Sequence, residues 1–300
     1  MVGWGRFPDA PSLMKTQLLQ AFGLLSLALV AGHGARSQTI LGSDGGYAVM
    51  AGSTVTINGV SPITTITGNL GAANIAGSST DTLITGGSSD TPVIPTTQNL
   101  TDFTTAFNGL VAMTPTDNLS GLVLGTSTGA TVLTPGVYNF TAAAQLTGNL
   151  VLDAENQPNA VWVFQIGSTL ITAPNASVTL INLAANSVAN DGVFWQVGAA
   201  TTFGAGTSFV GNLLGAGGFT LGTGATITDG RVLTGAAGTI TLADDSINFD
   251  AANSGYSGGL MFDGGGNVVA VSIPEPAAFL WLAPLGVTGF ALRRRRRPPP

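Results

Sequence analysis

Between residues 164 and 247 the chain keeps returning to one small unit, and that repeat limits the fold more than any other feature. The unit ends in a Thr and an apolar residue: Gly167-Ser168-Thr169-Leu170, Ala200-Thr201-Thr202-Phe203, Gly218-Phe219-Thr220-Leu221 and Thr239-Ile240-Thr241-Leu242. A second apolar position follows a few residues later, at Val178, Phe209, Ile227 and Ile247. The step from Thr169 to Thr202 is longer than those from Thr202 to Thr220 and from Thr220 to Thr241. Phe164-Gln165-Ile166-Gly167 also resembles Trp195-Gln196-Val197-Gly198 further along the chain. Units of about 20 residues, with short alternating strands and Gly turns, predict the coils of a β-solenoid. The longer interval implies an inserted loop or an extra coil. A β-sandwich is the competing architecture, because short strands at regular spacing fit it too.

One segment breaks the pattern. Across residues 96–113, Leu100, Phe103, Phe107, Leu110 and Met113 recur at spacings of three and four, which is one face of a helix. Pro95 precedes it and Pro115 ends it. Its apolar face must lie on something, and the side of a solenoid is the natural partner.

If the repeat apolar residues point inward, their strand neighbours point outward. The residue before each first inward position is Thr169, Thr202, Thr220 or Thr241. The residue before each second one is Ser177, Ser208, Thr226 or Ser246. With strands about 4.8 Å apart, these sets predict ladders of hydroxyls and methyls. Ile171, Gly204, Gly222 and Ala243 follow the first inward positions and are mostly small. Thr suits any exposed strand and serves solubility, but an ordinary solvated face also mixes in charge. These columns hold none.

The scarcity of charge also bounds the chemistry. The chain is 44% apolar and only 8% charged, against roughly 25% in ordinary soluble domains. From Gln38 to Ser272 thirteen acids face one basic residue, Arg231, for a net of −12 (1 − 13). Such a surface repels phosphate backbones, so no nucleic-acid partner is expected. Without Cys, and with no His or Lys in that stretch, no metal site, nucleophile–base pair or cofactor is expected. The remaining acids, Asp153/Glu155 and Asp244-Asp245, could cleave glycosides only if held at the right separation, and they read as turn residues. Asp263-Gly264-Gly265-Gly266-Asn267 faintly suggests a calcium turn but occurs once. Arg231 is expected to pair with an acid such as Asp229 or to cap a turn, and Trp195 and Phe219 to serve core or loop packing.

Both ends read as addresses. Met14-Lys15, an apolar run at 18–30 and Ala35-Arg36-Ser37 before Gln38 form a secretory signal layout over residues 1–37, with Met14 an alternative start. A Gly-, Ser- and Asn-rich linker is expected at 251–273. Then Pro274-Glu275-Pro276, an uncharged stretch at 277–292 and five arginines at 293–297 follow in order. That tail, 274–300, resembles the PEP-CTERM sorting signal of Gram-negative bacteria. The resemblance implies a short transmembrane helix, transient inner-membrane anchoring, cutting by an exosortase-type protease and release outside the cell or into its matrix.

The region of about 40–250 resembles the microbial ice-binding protein family. The resemblance is carried by Thr67-Gly68-Asn69-Leu70-Gly71, Leu133-Thr134-Pro135-Gly136-Val137-Tyr138, the run at 158–168 around Trp162-Val163-Phe164-Gln165, and Val193-Phe194-Trp195-Gln196. It implies a mainly β, irregular right-handed β-solenoid (β-helix) at 38–250, with one long α-helix packed along its side. It implies a monomeric, cofactor-free, non-enzymatic protein that adsorbs to an ice surface and inhibits ice growth or recrystallisation. The family's loose Thr-Ala/Gly-X-Thr/Asn motif fits Thr172-Ala173-Pro174-Asn175 and Thr223-Gly224-Ala225-Thr226, as well as Thr128-Gly129-Ala130-Thr131. The expected ice-facing residues are therefore the Thr and Ser columns with Thr172, Asn175 and Thr223. The alternative is a structural or adhesive matrix protein, associated with exopolysaccharide, on the same scaffold.

Overall fold

The structure is a computed structural model that describes residues 39–59, 63–77, 82–87, 92–126, 129, 131–185, 190–249 and 256–271. The signal layout and the sorting tail lie outside these residues. The described part is mainly β with one α-helix, and nineteen of its strands form one sheet. Every pairing in that sheet is parallel. An antiparallel β-sandwich would not pair this way.

Three parallel ladders organise the sheet, and the chain passes through them in turn. Ladder one contains Gly136–Phe140, Val161–Ile166, Gly192–Val197 and the second halves of Ser208–Gly215 and Thr226–Thr234. Ladder two contains Ala144–Leu146, Leu170–Thr172, Thr201–Thr202, Phe219–Thr220 and Ile240–Ala243. Ladder three contains Asn149–Asp153, Ser177–Ile181, the first halves of Ser208–Gly215 and Thr226–Thr234, and Ser246–Asn248. Phe164 pairs with Trp195 and Gln165 with Gln196, the correspondence read from the sequence.

The N-terminal strands join this array out of chain order. Tyr47–Asn58 lies against the last pass, pairing Val49 with Val232 and Val55 with Ile240. Thr64–Gly77 continues the same stacking, with Ile66 against Ile247. A seam therefore runs between the first strands of the chain and its last pass.

Alternation of side chains gives each strand a buried inner row. Tyr138, Phe164, Trp195, Leu213, Val232, Val49 and Leu70 share one register on ladder one, and all belong to the main core. Because parallel register repeats the same position, aromatic rings stack: Phe164 and Trp195 lie 3.7 Å apart at 7°. The outward side of ladder one is largely apolar too, although Gln165 and Gln196 stand in register with Leu214, Leu233 and Met50. Val163, Phe194, Leu214, Leu233 and Met50 form a second core with the helix residues Phe103, Ala106 and Leu110. Sheet faces buried on both sides need apolar residues in both rows.

The helix spans Thr97–Ala112. Thr96 caps it: its hydroxyl accepts from Asn99 N, while the Asn99 side chain accepts from Thr96 N. Phe103 and Leu110 are buried as the three-and-four spacing predicts, each worth about 1.5–3 kcal/mol of apolar burial. The helix stops where Met113 turns extended. Gln165 of ladder one donates from Nε2 to the carbonyls of Leu110 and Met113, both at 2.7 Å. Carbonyls at a helix end have no intrahelical donor, so the sheet itself completes this one.

The stretch read as a linker corrects that expectation in its described part. Leu260–Phe262 pairs antiparallel with Val268–Ala270, and Tyr256, Leu260 and Val268 are buried. Val268 packs with the helix in the second core. The loop between the two strands is held by Asp263, whose carboxylate accepts the backbone N–H groups of Asn267 and Gly265 at 2.8 Å each. Those donors, Asn267 foremost, keep the carboxyl below the usual carboxylate range. The Asp263–Asn267 pattern is thus a hairpin loop.

Candidate functional site

With ladder one under the helix, ladders two and three are the outward faces to consider. On ladder two, Thr202 pairs with Thr220, Thr220 with Thr241 and Thr241 with Thr56. This is one outward column, one Thr per pass. Ile171 precedes it and Ala76 follows it. Thr202 and Thr220 are exposed, and Thr241 and Thr56 are half-buried. No hydrogen bond joins the hydroxyls of Thr202, Thr220 or Thr241 to another described residue. Ala200, Gly218 and Thr239 lie on one side of the column, and Gly204, Gly222 and Ala243 on the other. Short side chains there leave the threonines standing clear, and no charge interrupts the face.

Thr169 does not belong to that column. Leu170 pairs with Thr201, so Ile171 stands opposite Thr202. Thr169 falls two positions upstream, in the row of Ala200, Gly218 and Thr239. A slip of two keeps the same side of the strand, which is why the rest of the column survives. Thr172 is a second correction. It is buried, 4% exposed, and its hydroxyl lies 2.7 Å from that of Thr207 inside the turn. It takes the inward position beside Leu146 of the neighbouring pass.

Asn175 and Thr223 are exposed, but in the turns between ladders two and three. Asn175 has φ 60°, and Gly224, next to Thr223, has φ 75°. Gly206 and Asp244 take the same left-handed conformation in their passes. These corners suit Gly, Asn and Asp because the region penalises most other side chains.

The Ser/Thr column lies on ladder three. Ser177 pairs with Ser208, Ser208 with Thr226, and Thr226 with Ser246. Asn149 and Thr65 extend it at either end. The two hydroxyl columns therefore occupy different ladders rather than one plane. They also differ chemically. Thr65 donates to the Ser246 hydroxyl at 2.9 Å, and Ser177 donates to Asn149 Oδ1 at 3.0 Å. The ends of the ladder-three column thus satisfy themselves, whereas Ser208 and Thr226, like Thr202, Thr220 and Thr241, have no side-chain partner among the described residues.

Thr56 and Thr65 lie beyond the reach of the repeat. Alternation in Thr54-Val55-Thr56-Ile57 marks a strand, but nothing local says that it stacks on residues 240–243.

Asp245 and Asp153 are engaged by backbone and turn groups. Asp245 is buried, and its two oxygens accept from Ala225 N at 2.9 Å and Ala243 N at 2.7 Å. Burial pushes its carboxyl up to about 7. Asp153 accepts from Glu155 N and from the Asn182 side chain, both at 2.9 Å, in a turn. Arg231 is 1% exposed; its guanidinium donates to the Gly45 carbonyl and the Asn212 side chain and lies 3.8 Å over the Phe249 ring. Among the described residues, no group of three or more His, Cys, Asp or Glu could hold a metal.

Ladder two thus presents an ordered, uncharged hydroxyl face on a parallel-β scaffold. The sequence pattern of the family described as ice-binding-like matches residues 49–248, and the chain belongs to that family. An ice-binding protein of Nostoc sp. (strain HG1) is 38% identical over 265 residues, covering 88% of this chain and 90% of that protein. Among solved structures, an ice-binding protein from an Antarctic biological consortium matches with a TM-score of 0.59 and 34% identity, over 70% of this chain and 90% of that one. One from the Antarctic ascomycete Antarctomyces psychrotrophicus matches with 0.62 and 30%, over 71% and 99%.

Proposed function

We propose that this protein binds ice through ladder two and inhibits ice growth or recrystallisation. The observation that carries the reading is the in-register column Thr202–Thr220–Thr241–Thr56, in which the first three hydroxyls lack partners among the described residues. Hydroxyls repeating about every 4.8 Å can each hold a water, and ordered waters bridge polar surfaces at little cost. The methyls between them favour contact over solvation. The names of the relatives support the same reading. The ladder-three column, with Asn175 and Thr223, flanks the contact.

The three ladders and repeated passes fit a right-handed β-solenoid across 38–250. The export route follows from the sequence: signal peptide 1–37, a transient inner-membrane anchor at 277–292, and cutting near Pro274-Glu275-Pro276 by an exosortase-type protease. The product is a secreted monomer with no cofactor. Among the described residues no helix is long and apolar enough to cross a membrane, and the anchor assigned here lies outside them.

Growing single ice crystals in the purified domain tests the function. Facetted or arrested growth is expected, and unaltered growth would remove the reading. Thr220→Tyr should abolish the effect with the melting temperature unchanged, while Ser208→Tyr retains most of it. The reverse outcome would move the site to ladder three.

A further inference from the structure

The ice face proposed above crosses the seam. Its fourth threonine, Thr56, arrives on the N-terminal strand, whereas Thr202, Thr220 and Thr241 arrive on later passes. Whatever fixes the N-terminal strand against the last pass also sets how far the column extends. Hydrogen bonds between backbones supply part of that, but one side chain on the seam is out of keeping with the rest of the molecule.

Arg231 is the one basic residue between Gln38 and Ser272, and it is 1% exposed. Its neighbours come from both sides of the seam. Nε and Nη2 donate to the carbonyl of Gly45, at 3.3 and 2.8 Å, just before the strand that carries Thr56. Nη1 donates to Asn212 Oδ1 on the adjacent pass, and Asn212 in turn donates to the carbonyls of Val193 and Tyr256. The guanidinium plane lies over Phe249, beyond the end of ladder three. Burial lowers the guanidinium's hold on its proton, and the carboxyl of buried Asp44, beside Gly45, works in the opposite direction. Asp44 also accepts from Asn99 at the start of the helix.

A buried charge is an expensive way to gain stability. Well-packed apolar residues of similar volume often do as well or better. What the planar fork offers is direction, because several donors fixed in one plane hold several acceptors at set positions. We infer that Arg231 is a positioning residue for the ice face: it pins the N-terminal strand to the last pass and so keeps Thr56 in line with Thr241. This rests on the ladder-two reading of function.

A double-mutant cycle on the full mature chain tests it, with thermal hysteresis as the readout. In the parent protein Thr56→Tyr should lower activity several-fold. In an Arg231→Met background, activity should already be lowered and Thr56→Tyr should add nothing. Hydrogen exchange should show faster opening of Tyr47–Asn58 while Val161–Ile166 keeps its protection. Arg231→Lys, which keeps the charge but loses the fork, should show the same loss of coupling if Arg231→Met does not fold. An unchanged cost of Thr56→Tyr in both backgrounds would overturn the inference. So would a uniform rise in exchange across all strands, because that marks general destabilisation. If the parent protein leaves ice growth unaltered, the functional reading fails, and the exchange pattern alone then decides whether Arg231 holds the seam.

Discussion

Ladders one and two are made by the same passes of chain, yet one is covered and the other bare. The outward side chains differ, although ladder one includes Gln165 and Gln196 among its large apolar residues. Val163, Phe194, Leu214, Leu233 and Met50 stand on ladder one, and Ile171, Thr202, Thr220, Thr241 and Thr56 on ladder two. The inner row of ladder one is apolar, and that of ladder two is mostly so, with Leu170, Phe219 and Ile240 in the main core. The scaffold thus permits either fate, and the outer row chooses. Large apolar residues recruit the helix, and short hydroxylated ones leave a face open to water.

The comparison can be broken most severely from the covered side. Phe103→Ala removes the helix ring that meets ladder one and should cost about 3–5 kcal/mol in chemical denaturation. The ice response of the surviving folded fraction should be unchanged. Next comes pH. Burial pushes Asp44 and Asp245 up to about 7 from an ordinary 3.8. A carboxyl raised on folding holds its proton more tightly in the folded chain, so stability falls as pH rises from about 4 towards 7 and then levels. Melting temperature at about pH 5 should exceed that at about pH 8, and the opposite slope would count against both assignments.

Gln165→Ala should cost about 1–3 kcal/mol by stripping the last helix carbonyls of their donor, with faster exchange confined to the helix end. On the inner row of ladder two, the Thr201 hydroxyl is buried without a hydrogen bond, so Thr201→Val should gain about 1 kcal/mol. The smallest change in stability belongs to the bare face. Thr220→Val should move it by no more than about 0.5 kcal/mol while lowering ice activity, and that contrast separates the two ladders most sharply.

Much of this contrast is legible in the residues. The Phe164/Trp195 correspondence, the helix face and the Ser177–Ser246 column all follow from periodicity, because parallel stacking repeats each chemical position. Thr169 misleads because a Thr-rich run offers several acceptable registers. Only the neighbouring Phe164–Trp195 pair, carried forward along both passes, sets Ile171 rather than Thr169 opposite Thr202. Thr172 misleads because a turn residue can bury its hydroxyl against another, here Thr207, without a change in composition. Thr56 is out of reach, since its partner Thr241 lies at the opposite end of the domain and leaves no periodic trace. Reading residues 256–271 as linker fails for a related reason: a few apolar residues among glycines suffice to dock on a helix already in place.

The seam also dictates a timetable. Val49 must meet Val232, with most of the domain between them. Contacts that close such long loops form late and slow the search for the native state. Until the last pass has emerged, the first strand carries an unpaired edge that another copy could capture. Folding of this chain is therefore governed by its final third. A molecule cut short before residue 231 would carry Thr56, Thr202 and Thr220 but lack Thr241, the residue through which the first of these joins the other two.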